Sequence, residues 1–136
     1  MISATAFVTV AFQDCDPMQV VWHGNYYRYL EEARRALLEE LKFPYDEMER
    51  QNLAYPIVDT RMKFVSPAQH AHKLEVTATL SEWENRLRMD FVVFNHTTGK
   101  ISVKAHTIQC AVNLTTQEML YVSPQCLLDK VAACID

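Results

Sequence analysis

Glycine is almost missing from this chain: its 136 residues hold two, Gly24 and Gly99. A phosphate-cradling loop needs several glycines in close succession, so neither a P-loop nor a dinucleotide fingerprint can be built. Cysteine is sparse and unpatterned. Cys15, Cys110, Cys126 and Cys134 form no C-x-x-C pair, which removes zinc-ribbon and thioredoxin-type chemistry and fits reduced thiols in a cytoplasmic protein. No cluster of His, Cys and carboxylates has ligand spacing, so neither a metal nor a redox cofactor is expected. No run of basic residues occurs, and the formal charge is -4, which argues against a nucleic-acid partner. No apolar stretch approaches the ~20 residues of a membrane span. The opening Met1-Ile2-Ser3-Ala4-Thr5 lacks the basic flank of a secretory signal, and none is expected.

What the chain has is apolar residues in two clear periods. They make up 49% of it, enough for one core, and the length suits a single domain over residues 1–136. Residues 3–12 alternate and are rich in Val, Phe and Thr, which predicts a strand. Residues 13–22 read as a loop. From His23 to Lys42 the period becomes helical: Tyr26, Leu30, Ala33, Leu37, Leu38 and Leu41 share one face, Arg28, Glu32, Arg35 and Glu39 the other. Pro44 is expected to stop this helix. Residues 45–53 read as a polar connection with some helical character. Four strands follow, at 55–65, 73–83, 86–96 and 100–113, the last two joined by Thr97-Thr98-Gly99-Lys100 as a hairpin. A short helix is expected over 123–133. The scheme is α+β, in the order β-α-β-β-β-β: a five-stranded antiparallel sheet wrapped around one long central helix, whose apolar stripe it buries.

The stretch with most chemical content is Asp14-Cys15-Asp16-Pro17 followed by Val20-Val21-Trp22-His23-Gly24-Asn25-Tyr26-Tyr27-Arg28-Tyr29-Leu30-Glu31. A carboxylate at the end of an apolar strand meets the start of a helix, where backbone N–H groups have no helical partner. A negative charge that develops during a reaction could be held there. Asp at such a place is also an ordinary turn or helix-start residue. Arg34 falls within the apolar face and needs a partner, for which Glu31 stands three residues back.

Asp14, Asp16, Val21, Trp22, Tyr26, Arg28 and Glu31, together with Tyr55-Pro56-Ile57-Val58, Phe64-Val65-Ser66-Pro67-Ala68 and Leu74-Glu75-Val76, resemble the 4-hydroxybenzoyl-CoA thioesterase-like family of hotdog-fold acyl-CoA thioesterases, over nearly the whole chain. The resemblance implies hydrolysis of an acyl-CoA to free acid and coenzyme A. Asp16 falls at the family's catalytic carboxylate, and could attack the carbonyl or deprotonate water. The backbone N–H of His23 falls at the oxyanion donor. Glu31 falls at an acid that assists or sits at a subunit boundary. Arg86 and Arg88 would meet the nucleotide phosphates, and Asp14 would be structural. By residue type, Trp22, Tyr26, Tyr55, Met62 and Phe64 could line the acyl pocket, although aromatics at such spacings are more often plain core. Relatives act as homodimers, often paired into tetramers. The chain departs from the family directly after the acid. Relatives carry small residues there, often Gly-Gly or Ala-Gly, where this chain has Pro17-Met18-Gln19. A non-catalytic acyl-CoA-binding scaffold and a hotdog enoyl hydratase or dehydratase using Asp16 and His23 are the alternative readings.

Overall fold

A computed structural model describes residues 2–135. The architecture is α+β. Five strands form one antiparallel sheet in the order β1-β4-β5-β6-β3: β1 (Ser3–Thr9), β3 (Ile57–Phe64), β4 (Lys73–Glu82), β5 (Leu87–Asn95) and β6 (Lys100–Gln109). Strict alternation makes one face of this sheet apolar. Leu74, Val76, Ala78 and Leu80 of β4 are buried, as are Leu87, Met89, Phe91 and Val93 of β5. Helix α1 (Asn25–Glu40) lies against β1 and β4 on that face. All six residues assigned to its apolar stripe are buried, and Tyr29 joins them.

The order β-α-β-β-β-β, with its one long helix, is incomplete. Helices α2 (Tyr45–Arg50) and α3 (Gln125–Ile135) also form, within the stretches expected to be partly helical at 45–53 and helical at 123–133, and each has a residue or pair to bury: Met48 in α2, Leu127 and Val131 one turn apart in α3. A small ribbon pairs β2 (Leu53–Ala54) with β7 (Val112–Asn113) outside the main sheet, so the strand expected over 100–113 ends at Gln109.

Helix α1 is shorter than expected at both ends. It stops ahead of Pro44, because Lys42 takes a left-handed conformation (φ 57). The Phe43 N–H then reaches back to the Leu38 carbonyl (2.9 Å) and the Lys42 N–H to that of Glu39 (3.0 Å). Those two bonds close a Schellman motif around a lysine instead of a glycine.

Candidate active site

After β1 the chain makes a 3-10 turn over Phe12–Asp14 and then a tight hairpin. Cys15 bridges to Val21, the Asp16 N–H donates to the Val20 carbonyl (2.9 Å), and the Gln19 N–H donates to the Asp16 carbonyl (2.8 Å). Pro17 supplies the fixed φ that the second position of such a turn favours. Gln19 takes φ 65, the left-handed conformation that glycine adopts most easily. The departure Pro17-Met18-Gln19 therefore still completes the turn. The hairpin is tied down by Val21 N–H to the Ala68 carbonyl (2.8 Å), and by Trp22 N–H and Asn25 Nδ2 to the Asp14 carbonyl (3.0 and 2.8 Å).

This places two acids in different surroundings. Asp14 is buried at 3% exposure, and its carboxylate accepts from the Ala11 N–H (3.1 Å), the Tyr29 hydroxyl (2.7 Å) and the Arg28 guanidinium. Burial pushes its pKa up, but the bonds from Tyr29, Ala11 and Arg28, with the Arg28 charge, outweigh that and hold it below its ordinary value. Burial and the same Asp14 contact push the Tyr29 phenol well up. Asp16 is half-buried. Its Oδ1 accepts the Met18 N–H (2.9 Å), which fixes the carboxylate plane, while Oδ2 has no protein partner among the described residues.

Asp16 opens on a cleft of about 300 Å³ walled by Met18, Val20, Val21, His23, Tyr26 and the segment Phe64–Pro67. The wall is mostly apolar, and one side of it is the start of α1. Gly24 precedes that helix and no side chain caps it. Among the described residues the N–H groups of His23 and Gly24 have no protein acceptor. The His23 ring lies between those of Trp22 (5.0 Å) and Phe64 (6.2 Å). A Cβ on Gly24 would overlap the Trp22 ring, so glycine here is what lets the indole fold back across the helix start.

Of the residues singled out in the sequence, Asp16, His23 and Tyr26 meet in the cleft. Trp22 borders it through His23 without lining it. Glu31, expected as an assisting or subunit-boundary acid, has a side chain about half exposed (47%) and lies two helical turns beyond His23. It does pair with Arg34 (3.0 Å), and it accepts from the Tyr45 hydroxyl (3.3 Å). Arg34 itself is buried at 1% exposure and spends its other donors on Gln109 (2.6 Å) and Thr107 (2.8 Å). Arg86 and Arg88 lie at the opposite end of β4 and β5 from the Asp16 hairpin. They pair with Glu82 (3.0 Å) and Asp90 (3.2 Å).

Two features of the site were not read from the sequence. One is the clamp of Asp14 by Arg28 and Tyr29, which sit 14 and 15 residues away and meet it only once α1 packs on β1. The other is Ser66-Pro67 as cleft wall, for which the strand-ending Ser-Pro was the available signal.

A family model described as the thioesterase-like superfamily matches residues 10–132. A 4-hydroxybenzoyl-CoA thioesterase from Pseudomonas sp. (strain CBS-3) is 31% identical over 87 residues, 62% of each chain. Two solved structures share the fold. A DHNA-CoA thioesterase from Staphylococcus aureus superposes with a TM-score of 0.84 at 23% identity, over 98% of this chain and 93% of that one. An Asp-to-Asn variant of a 4-hydroxybenzoyl-CoA thioesterase, in complex with 4-hydroxybenzoyl-CoA, superposes with a TM-score of 0.83 at 22% identity, over 96% and 99%.

Proposed function

The chain belongs to the thioesterase-like superfamily, and from that premise we propose that Asp16 and the start of α1 make up the active site of an acyl-CoA thioesterase. The enzyme hydrolyses an acyl-CoA to the free acid and coenzyme A. One observation carries this reading: Asp16, whose Oδ2 has no protein partner among the described residues, lines an apolar cleft whose wall includes a helix start with N–H groups that have no protein acceptor among those residues. The cleft takes the acyl group and excludes water from it. The thioester oxygen lies toward the His23 N–H, which gains most when the carbonyl becomes an oxyanion, since the positive end of α1 points the same way.

Two routes use the same carboxylate. In the first, Oδ2 attacks the carbonyl carbon, the C–S bond breaks, the thiolate leaves and takes a proton from solvent, and water then hydrolyses the mixed anhydride to restore Asp16. In the second, Asp16 takes a proton from water as its oxygen attacks, and the departing thiolate receives that proton. Both sum to thioester plus water giving acid plus thiol. The Met18 N–H bond keeps the carboxylate in one orientation in either case. Glu31 sits too far along α1 to touch the cleft of its own chain, so its part is to hold Arg34 and Tyr45.

We read the sheet and α1 as the hotdog arrangement and the functional unit as a homodimer, with pairing into a tetramer as the next level. Support comes from β3, a sheet edge with Ile57, Val58 and Phe64 exposed. The four free thiols fit a cytoplasmic setting.

A panel of acyl-CoA substrates assayed with a thiol reagent tests the reading. Free thiol is expected with at least one member. An enoyl-CoA absorbance change without thiol release would instead mark a hydratase, and binding without either would mark a scaffold.

A further inference from the structure

His72 joins three segments that frame the Asp16 cleft. Its Nδ1 accepts the Gln69 N–H (3.1 Å) and lies 2.9 Å from the Asn95 amide nitrogen. Two facts fix the state of this ring. The Gln69 group is a backbone N–H and can only donate. Asn95 is fully buried, and its Oδ1 already accepts the Thr97 and Thr98 N–H groups (2.9 and 3.2 Å), so its Nδ2 points at the ring and donates as well. The one lone pair of Nδ1 therefore takes both donors, and the ring is neutral with its proton on Nε2. A proton added at Nδ1 would face two N–H groups, and both bonds would be lost. Turning the Asn95 amide over gives no relief, because its NH2 would then meet the Thr97 and Thr98 donors.

The bonds at His72 hold the residues that shape the cleft. The loop of residues 65–72 joins β3 to β4. Its first part, with Phe64, is cleft wall as far as Pro67. Its middle carries the Ala68 carbonyl, which receives the Val21 N–H (2.8 Å) and ties down the Asp16 hairpin. Its end pairs with the chain just ahead of that hairpin: the Val10 N–H donates to the His72 carbonyl (3.0 Å), and the Ala71 N–H to the Val10 carbonyl (2.9 Å). Ala71 stands at φ 70, a left-handed conformation that alanine resists and that its surroundings must impose. Few charges lie around the ring. Lys100 of β6 lines the same hollow of about 210 Å³, and no acid does so among the described residues. His70 lies edge-on to Phe12 (5.7 Å), the Lys73 Nζ donates to Thr9 Oγ1 (3.1 Å), and His96 pairs with Glu75 (3.1 Å). We propose that His72 is a positioning residue: its neutral imidazole holds the cleft wall and the Asp16 hairpin together, and its protonation releases them and lowers turnover in mild acid. This regulation of the site rests on the acyl-CoA thioesterase reading.

The test compares wild type with His72→Asn and His72→Leu. Asparagine places Oδ1 where Nδ1 stands, accepts both donors and takes no proton, whereas leucine accepts nothing. Asp16, His23 and the His96–Glu75 pair are common to all three proteins, so a difference between their profiles belongs to position 72. Thiol release from an acyl-CoA is followed between about pH 8 and about pH 5, across the ordinary histidine range. Wild-type kcat falls about tenfold or more over that span, His72→Asn changes by no more than about threefold, and His72→Leu is already about tenfold down at the upper end. Parallel profiles for wild type and His72→Asn overturn the proposal, as does full activity of His72→Leu at the upper end. Where the leucine variant does not fold, the asparagine comparison decides alone. Amide exchange at Gln69 and Val21, corrected for the intrinsic effect of pH, is read on the same proteins. Protection at both falls about tenfold across the span in wild type and holds in His72→Asn. A wild type that releases no thiol at any pH defeats the hydrolase reading alone. Protection that falls equally in the two proteins, or in neither, overturns the role of His72 whether or not thiol is released.

Discussion

Asp14 and Asp16 are two residues apart, and their hydrogen bonds separate their roles. Asp14 has its lone pairs taken by Ala11, Tyr29 and Arg28 in a buried setting, so it holds the hairpin to α1. Asp16 lines the cleft, and its Oδ2 has no protein partner among the described residues. In Asp14→Asn the buried donors facing the side chain lose an acceptor, which costs about 1–3 kcal/mol of stability at pH 7 with kcat little changed. The pH dependence follows from the direction of the shift. The folded pKa lies below the unfolded one, so the contribution of Asp14 is complete above the ordinary carboxylate range, about pH 4, and is lost as pH falls through the lower folded value. Urea titrations from pH 7 down to pH 3 should therefore show wild type losing stability more steeply than Asp14→Asn below about pH 4. Equal stability at pH 7, or parallel acid limbs, would remove Asp14 from this role.

At the scale of elements, β3 differs from every other strand of the sheet. Its alternation is not expressed in burial: seven of its eight residues are exposed, and its outer edge has no partner among the described residues. A second copy covering that edge would bury Ile57 and Val58 and pair the open N–H and C=O groups. Light scattering at micromolar concentration should give a multiple of 15.7 kDa, and a 15.7 kDa species would contradict the assignment. What was legible in the sequence follows the same logic. The stripe of α1 and the alternation of 73–83 were readable because one side of each meets the core and the other meets water, which is the condition that writes a period into a sequence. The ribbon of β2 with β7 was not, since two-residue strands carry no period. The end of α1 was misplaced because Lys42 takes a conformation its residue type does not announce. Within the site, Asp16, His23 and Tyr26 were close in sequence and so visible together. Phe64 was also a candidate for the pocket wall, but Val65 to Pro67 needed the fold to bring them there.

Across the whole molecule, the cleft and the helix start meet at one end of the sheet, while the paired Arg86 and Arg88 lie at the other. The hairpin, α1 and the end of β3 are tied by Val21 to Ala68 and by Asn25 to Asp14. The proposed mechanism puts catalysis on a carboxylate oriented by a turn. The most direct measurement is thiol release by Asp16→Asn against wild type on an acyl-CoA that wild type hydrolyses, with melting temperature followed in parallel. Asparagine keeps the shape of the side chain but can neither attack nor accept a proton, so kcat should fall about 100-fold or more while the melting temperature hardly moves. Wild-type kcat in Asp16→Asn, or a larger loss of kcat in Asp14→Asn, would contradict the assignment.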